Sequence, residues 1–388
     1  MPTPTGPAHE SRIDAIDGLR ALAILYVLMN HVNMRLLLAH NPYYKGLPLQ
    51  LVWSLVWEGQ QGVQIFFALS GFLITSTSIR RWGALPALNI SDFYRIRFAR
   101  IAPLLAALVA VLSGLHLLRV HNYVVSAKDG GLPNAILAVL TLRVGLLEAT
   151  RGYLPANWDI LWSLSVEELF YLVFPLACLA LTRVRRLRLL PLIALLLSFV
   201  VLGPFARTVF TRGNEVWQEY SYLGGMDAIA MGALAAIAVT NRRLPRGLVN
   251  GLLGLGGVIL TILLTCEIQM QRMGIEKLGL GMSLIGLATV MVCAAAAQSD
   301  WRFRRWMQPL LSYGRHSYEI YLTHMFVVFA LFDWFVRAGK PMAWVAPLFV
   351  ATIILAGLLG ALVARYLSEP ANRALRGRFR TSTTVVSG

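Results

Sequence analysis

The chain has 388 residues, 57% of them hydrophobic and 14% charged, with a net charge of +16 and a mean hydropathy of +0.63. Soluble domains carry roughly 25% charged residues, so this composition and its long apolar runs exclude an ordinary soluble domain and define a polytopic membrane protein. A pI near 10.3 would also suit nucleic acid, but the arginines cluster between apolar segments, the positive-inside pattern of membrane proteins, so no nucleic-acid partner is expected.

The opening "MPTPTGPAHESRIDAIDG" has no apolar core of the signal-peptide kind. Residues 1–15 are therefore expected to form a short cytoplasmic tail. The apolar pattern predicts an all-α protein of about ten spans, near 16–39, 57–79, 99–120, 158–182, 189–210, 221–240, 247–266, 276–297, 316–336 and 342–366. Each is long enough for a ~30 Å hydrocarbon layer. Alternation then gathers the basic clusters on one side. They are Arg80, Arg81, Arg95, Arg97 and Arg100; Arg183, Arg185, Arg186 and Arg188; Arg242, Arg243 and Arg246; Arg302, Arg304, Arg305 and Arg315; and Arg365, Arg373, Arg376, Arg378 and Arg380. That side is expected to be cytoplasmic, with Arg12, Arg20 and both termini. The apolar stretch 132–147 holds Arg143 and is short; a crossing here would invert every later cluster. It is expected to be an interfacial or re-entrant helix. The expected domain is transmembrane over 16–370, followed by a basic cytoplasmic tail over 371–388.

In the first span, "DGLRALAILYVLMNH" (17–31) places Arg20 and His31 eleven residues apart. That is three helical turns plus a little, so both lie near one face, roughly 16 Å apart along the axis. Arg20 alone is readily a snorkelling arginine. His31 lies deeper, where a polar side chain is costly and faces a bundle interior or a wet cavity. A histidine titrates near neutrality and can accept a proton from a hydroxyl. A histidine hydrogen-bonded between helices is the structural alternative.

Further stretches follow in order: "GVQIFFALSGFLI" (62–74), "FYRIRFARIAP" (93–103), "WSLSVEELFYLVFP" (162–175), "GRHSYEIYLTH" (314–324) and "SEP" (368–370). Together with the Arg–His helix, they resemble the acyltransferase-3 family of bacterial membrane O-acyltransferases, over residues 14 to 370. There are departures. Gln64 stands where the family often has Asp, Glu369 touches Pro370 directly, and Gly225 replaces an arginine that often precedes the aspartate Asp227. No stretch resembles the fused hydrolase-type domain of some members, so the resemblance implies the standalone form.

The resemblance implies transfer of an acyl group, most often acetyl, from cytoplasmic acyl-CoA to a hydroxyl of a carbohydrate or other hydroxylated acceptor (a saccharide, glycolipid or macrolide-like molecule). The expected location is the bacterial cytoplasmic membrane. Arginine grips phosphate with a rigid fork, and Arg97 and Arg100, at i, i+3, share a helix face. With Arg20 they are expected to hold the acyl-CoA. A basic cluster that only sets topology is the plainer reading of the pair. His31 is the expected general base, with a covalent acyl-histidine as the competing route. Glu167 is expected to orient His31 or stabilise its imidazolium. Trp162, Ser165, Tyr321, His324 and Glu369 are assigned to the acceptor. Ser317, Tyr321 and His324 recur on one helix face, and Ser70-Gly71 reads as packing. Cys178, Cys266 and Cys293 lie in apolar stretches and define neither disulfides nor a metal site. No HExxH motif or carboxylate cluster calls for a metal. A multi-span transporter or flippase without acyl chemistry is the alternative, though no inverted repeat is evident.

Overall fold

The computed structural model describes residues 13–182, 189–299, 301 and 303–384, with side chains as far as 377. Arg12, Arg183, Arg185, Arg186, Arg188 and Arg302 lie outside the described residues, as do the side chains of Arg378 and Arg380. Every regular element among the described residues is helical. The principal helices are α1 (Asp14–Leu38), α2 (Gly59–Trp82), α3 (Ile90–Leu117), α4 (Gly131–Leu140), α5 (Val144–Arg151), α6 (Leu161–Leu181), α7 (Leu190–Thr208), α8 (Tyr222–Val239), α9 (Arg246–Thr265), α10 (Leu280–Ala296), α11 (Ser317–Arg337), α12 (Val345–Val363) and α13 (Glu369–Thr384).

Among the described residues, nine helical segments are long and apolar enough to cross a membrane. The span expected near 276–297 is shorter, the 17-residue α10. Gly279 takes a left-handed φ of 67° and cuts the helix there, leaving Glu276–Leu278 as a separate 3-10 turn. At 1.5 Å per residue α10 spans about 26 Å, close to the hydrocarbon thickness, and it packs among α2, α8 and α9. The 132–147 stretch does break into two short helices, α4 and α5, at Leu142 with φ 56°. Neither is long enough to cross.

Local chemistry sets several helix starts. The Asn89 side chain accepts from the Asp92 amide at 3.0 Å and caps α3. Ser221 Oγ accepts from the Gly224 amide at 3.2 Å and caps α8. Cross-links fix direction. Asn30 Nδ2, late in α1, donates to the Val56 and Trp57 carbonyls just before α2, at 3.3 and 2.8 Å. The two helices therefore run antiparallel. Arg315 pairs with Asp17 at 3.9 Å before α11, and Lys340 donates to the Ala39 carbonyl at 3.1 Å after it. So α1 and α11 run parallel. The arginine clusters gather at the end where α1 and α11 begin, called the basic end below.

Lipid tails are as apolar as leucine, so burial alone does not hold membrane helices together and close packing of small residues does. Gly71 of α2 and Gly232 of α8 supply it. A Cβ on Gly71 would stand 1.9 Å from the Ile229 carbonyl oxygen, and one on Gly232 2.1 Å from that of Ala68. Gly62 brings α2 against α1, where a Cβ would meet the Ala23 carbonyl at 2.5 Å. The backbones of α1, α2 and α8 thus touch, and they fix the walls of the polar interior described next. Exposed leucines such as Leu172, Leu255, Leu358 and Leu362 make the outer, lipid-compatible surface.

Candidate active site

The polar stripe of α11 runs through the bundle, and each member finds a partner on another helix. Near the basic end, Arg20 Nε donates to Ser317 Oγ at 3.2 Å. One turn on, the Tyr321 hydroxyl lies 2.6 Å from Ser163 Oγ and donates to the Ile160 carbonyl at 2.9 Å. Deeper still, His324 Nε2 lies 3.4 Å from His31 Nδ1, with ring centroids 4.9 Å apart. His324 is fully buried. The expected shared face of Ser317, Tyr321 and His324 is therefore a wall facing α1 and α6.

The hydrogen bonds decide the tautomers. His31 Nδ1 is 2.8 Å from the Val27 carbonyl oxygen, and a carbonyl only accepts. Nδ1 therefore carries the hydrogen and Nε2 keeps the lone pair. His324 Nδ1 is likewise 2.7 Å from the Tyr321 carbonyl, so its Nε2 is an acceptor turned toward His31. The result is one imidazole with a free basic nitrogen, seated against a second whose Nε2 lone pair faces its Nδ1 side at 3.4 Å.

The arginines form the other half. Arg97 stacks its guanidinium 4.3 Å above the Tyr171 ring, a cation–π contact. Glu167 Oε1 accepts from Ser70 Oγ at 2.5 Å and from the Tyr171 hydroxyl. Arg20 lies in the field of Arg100 and of the carboxylates Asp17, Glu319 and Glu167. Tyr318 donates to the Ile101 carbonyl at 3.2 Å, next to Arg100. So Arg20, Arg97, Arg100 and Glu167 converge on one polar region on the basic side of the histidine pair. The side-chain contacts of Glu167 go to Ser70 and Tyr171, and the neighbour of His31 is His324. The expected pairing of Glu167 with His31 is corrected to that extent. Sequence patterning reads α6 from its start, whereas Glu167 sits nearly two turns in, opposite α2 and α3.

Trp162 stacks on Tyr220, centroids 4.2 Å apart and planes 8° apart, and meets Phe67 edge-on at 6.1 Å. Ser165 Oγ donates to the Leu161 carbonyl of its own helix at 3.0 Å and is buried, so its hydroxyl is already used. Glu369 is exposed at the start of α13 and is not brought to the other candidates. Ser70, read as packing, is instead a donor to Glu167, while its neighbour Gly71 makes the close helix crossing. Tyr171 and Ser70 carry no functional signal in the sequence, because one hydroxyl on an apolar helix has none until its partner is known.

The departures at Gln64 and Gly225 meet at one point. A Cβ on Gly225 would lie 2.6 Å from the Phe67 ring, so no larger side chain fits there. Arg207 of α7 supplies the guanidinium instead, donating to Asp227 Oδ2 at 2.7 Å and to the Gly279 carbonyl at 2.9 Å. Ser283 donates to the same Asp227 oxygen at 2.6 Å, and Gln64 Nε2 to Oδ1 at 3.1 Å. A buried charge survives in a membrane protein when it is paired and hydrogen-bonded, and this one is. Among the described residues, no group of His, Cys, Asp or Glu is arranged to hold a metal, and the three cysteines are unpaired.

A helical membrane bundle with arginines near its basic end and a buried histidine beyond them can hold an anionic group beside a side chain able to accept a proton. The sequence matches the acyltransferase domain family over residues 13–366, and the chain belongs to that family. It is 23% identical over 377 residues to the O-acetyltransferase OatA of Staphylococcus aureus, covering 92% of this chain and 57% of the relative. It is 26% identical over 377 residues to the peptidoglycan O-acetyltransferase OatA of Listeria monocytogenes, covering 92% and 55%. The chain thus spans little more than half the length of the curated relatives it matches. No solved structure matches it.

Proposed function

We propose that this chain transfers an acyl group, acetyl by preference, from acyl-CoA to the hydroxyl of a saccharide or similar hydroxylated acceptor. The single observation that carries the reading is the His31 tautomer: the Val27 carbonyl holds the hydrogen on Nδ1 at 2.8 Å and leaves Nε2 as a base. Nε2 takes the proton of the acceptor hydroxyl as its oxygen attacks the thioester carbonyl. The new C–O bond forms, the C–S bond breaks, and the CoA thiolate recovers the proton from the imidazolium. The Val27 carbonyl accepts from His31 Nδ1–H throughout, holds the ring and stabilises the imidazolium, the orienting role that an acid fills in other triads, and the His324 Nε2 lone pair faces the same nitrogen at 3.4 Å.

Arg20, Arg97 and Arg100 bind the phosphates of coenzyme A, which they suit by charge and fork geometry. The positive-inside rule places this basic end in the cytoplasm, where acyl-CoA is found. The rise from Arg20 to His31, roughly 16 Å at 1.5 Å per residue, is the distance the extended acyl-pantetheine arm covers. Glu167, with Ser70 and Tyr171, holds Arg97 in place over that path. The acceptor approaches from the far side, where Trp162 stacks on Tyr220. The Listeria relative's name points to a glycan hydroxyl as the acceptor class.

The test is CoA release from acetyl-CoA by purified protein, with and without a peptidoglycan fragment, for wild type and His31→Ala. Acceptor-dependent release in wild type alone supports the proposal. Equal release by both folded proteins removes His31 from the chemistry.

A further inference from the structure

At the end of the bundle opposite the arginines lies a second cavity of about 190 Å³, between α2, α8, α10 and the segment after α9. It closes on Gln64 and Arg207 and opens past Glu219 and Glu276. It is separate from the histidine pair: Phe66 of α2 faces Tyr321 at 6.2 Å, whereas Phe67, the next residue, lines the cavity.

Its polar wall is made of acceptors. Gln60 Nε2 donates to the Glu219 carbonyl at 3.2 Å, Gln61 Nε2 to Glu267 Oε2 at 3.1 Å, and Gln64 Nε2 to Asp227 Oδ1 at 3.1 Å. Each of these glutamines turns its NH2 toward a protein acceptor, which leaves its carbonyl oxygen on the other side. Gln61 is 3% exposed, and its Oε1 has no hydrogen-bond partner. Behind it Glu58, 6% exposed, has an unpartnered Oε1 as well, and its carboxyl group also has a side-chain hydrogen bond with Gln61. Glu267 and Glu276 add carboxylates. The one guanidinium in the lining, Arg207, is already spent on Asp227, Gly224, Gly279 and Ser283. Buried acceptors left without donors are costly; the cavity lowers that cost by keeping a proton on Glu267, hydrogen-bonded with Glu276, and a donor-rich, positively charged occupant would take the proton's place.

We propose that this cavity binds a small organic ammonium ion, its N–H groups on Gln61 Oε1 and the Glu267 and Glu276 carboxylates. A metal ion is the poorer fit, because among the described residues no carboxylate group is arranged to hold one. The remaining wall of Phe67, Leu263 and Ile285 suits an apolar body, and the Phe67 ring adds a cation–π face. The site is independent of the acyl-transfer reading.

The probe is cyclohexylammonium, titrated by calorimetry into the full chain in detergent at physiological salt, with cyclohexanol and calcium chloride as comparisons. Saturable binding of cyclohexylammonium at least tenfold tighter than cyclohexanol, weakened tenfold or more in Glu267→Gln, supports the site. Glu276→Gln lies at the exposed rim and keeps the test open should Glu267→Gln fail to fold; it is expected to weaken binding about threefold or more. Equal binding of cyclohexanol makes the cavity an apolar slot and overturns the proposal. Calcium binding that displaces the amine overturns it in favour of a metal. Absence of amine binding by folded protein overturns it outright.

Discussion

His31 Nδ1 and His324 Nε2 lie 3.4 Å apart although 293 residues separate them in the chain. This contact joins α1 and α11 at the one point where both carry an imidazole. It also assigns the roles, because the Val27 carbonyl leaves His31 with Nε2 as its base. His31→Ala is expected to lose acyl transfer by about 10²- to 10⁴-fold, the usual worth of a positioned base. His324→Phe keeps volume but removes the Nε2 lone pair that faces the His31 imidazolium, and is expected to lower kcat about tenfold or more with little change in the KM for acyl-CoA. Steady-state CoA release measures both. An unchanged kcat in folded His324→Phe would leave that residue a packing element.

Arg97 and Arg100 are expected to matter for binding more than for turnover. A charge-assisted hydrogen bond contributes about 1.5–3 kcal/mol, so either alanine variant weakens acyl-CoA binding by about ten- to a hundredfold. Tyr171→Leu removes the ring beneath Arg97 and a donor to Glu167, and is expected to reproduce part of the Arg97 loss. Titration of acyl-CoA into purified protein checks all three. Unchanged affinity in both arginine variants would reassign the pair to membrane topology.

Arg207 and Asp227 form a buried pair 2.7 Å apart. Breaking such a pair strands a charge and costs about 3–5 kcal/mol, while replacing both partners with apolar residues is often neutral. Arg207→Met is therefore expected to destabilise strongly, and Arg207→Met with Asp227→Leu to recover most of the loss. Thermal unfolding in detergent reads the cycle. A double variant no better than the single would show that Gln64 and Ser283, not Arg207, set the stability of this site.

Much of this was legible in the sequence, and the reason is physical. Apolar runs of membrane length and arginines in clusters are local signals, so the long helices and the short, non-spanning segment at α4 and α5 could be read directly. The stripe Ser317, Tyr321, His324 follows from helical period alone. What could not be read were contacts between helices. The meeting of His31 with His324, the turn of Glu167 toward Ser70 and Tyr171, and the delivery of Arg207 to Asp227 depend on which helix faces which. That choice is made by close approaches such as Gly71 on the Ile229 carbonyl, and a lone glycine does not announce its partner. The late start of α10 came from one left-handed glycine, Gly279, inside an apolar run.

The pH dependence of stability tests the acidic cavity from another direction. Burial, the hydrogen bond with Glu276, and the charges of Glu58 and Glu276 push the Glu267 carboxyl up to about 9, against a pull downward from a Gln271 hydrogen bond. In the unfolded chain the same group has its ordinary value of 4.5. Below that value both states hold the proton and its contribution to stability is complete. As pH rises toward 9 the unfolded chain releases the proton while the folded chain retains it, so stability falls with pH across this window. Thermal unfolding from mildly acidic to alkaline pH is expected to show that decline, and Glu267→Gln, which keeps the hydrogen bonds without ionising, to flatten it. Bound cyclohexylammonium is expected to offset the decline as well, because an ammonium group neutralises the carboxylate that the proton has left. A slope unchanged in Glu267→Gln would place the titrating group elsewhere.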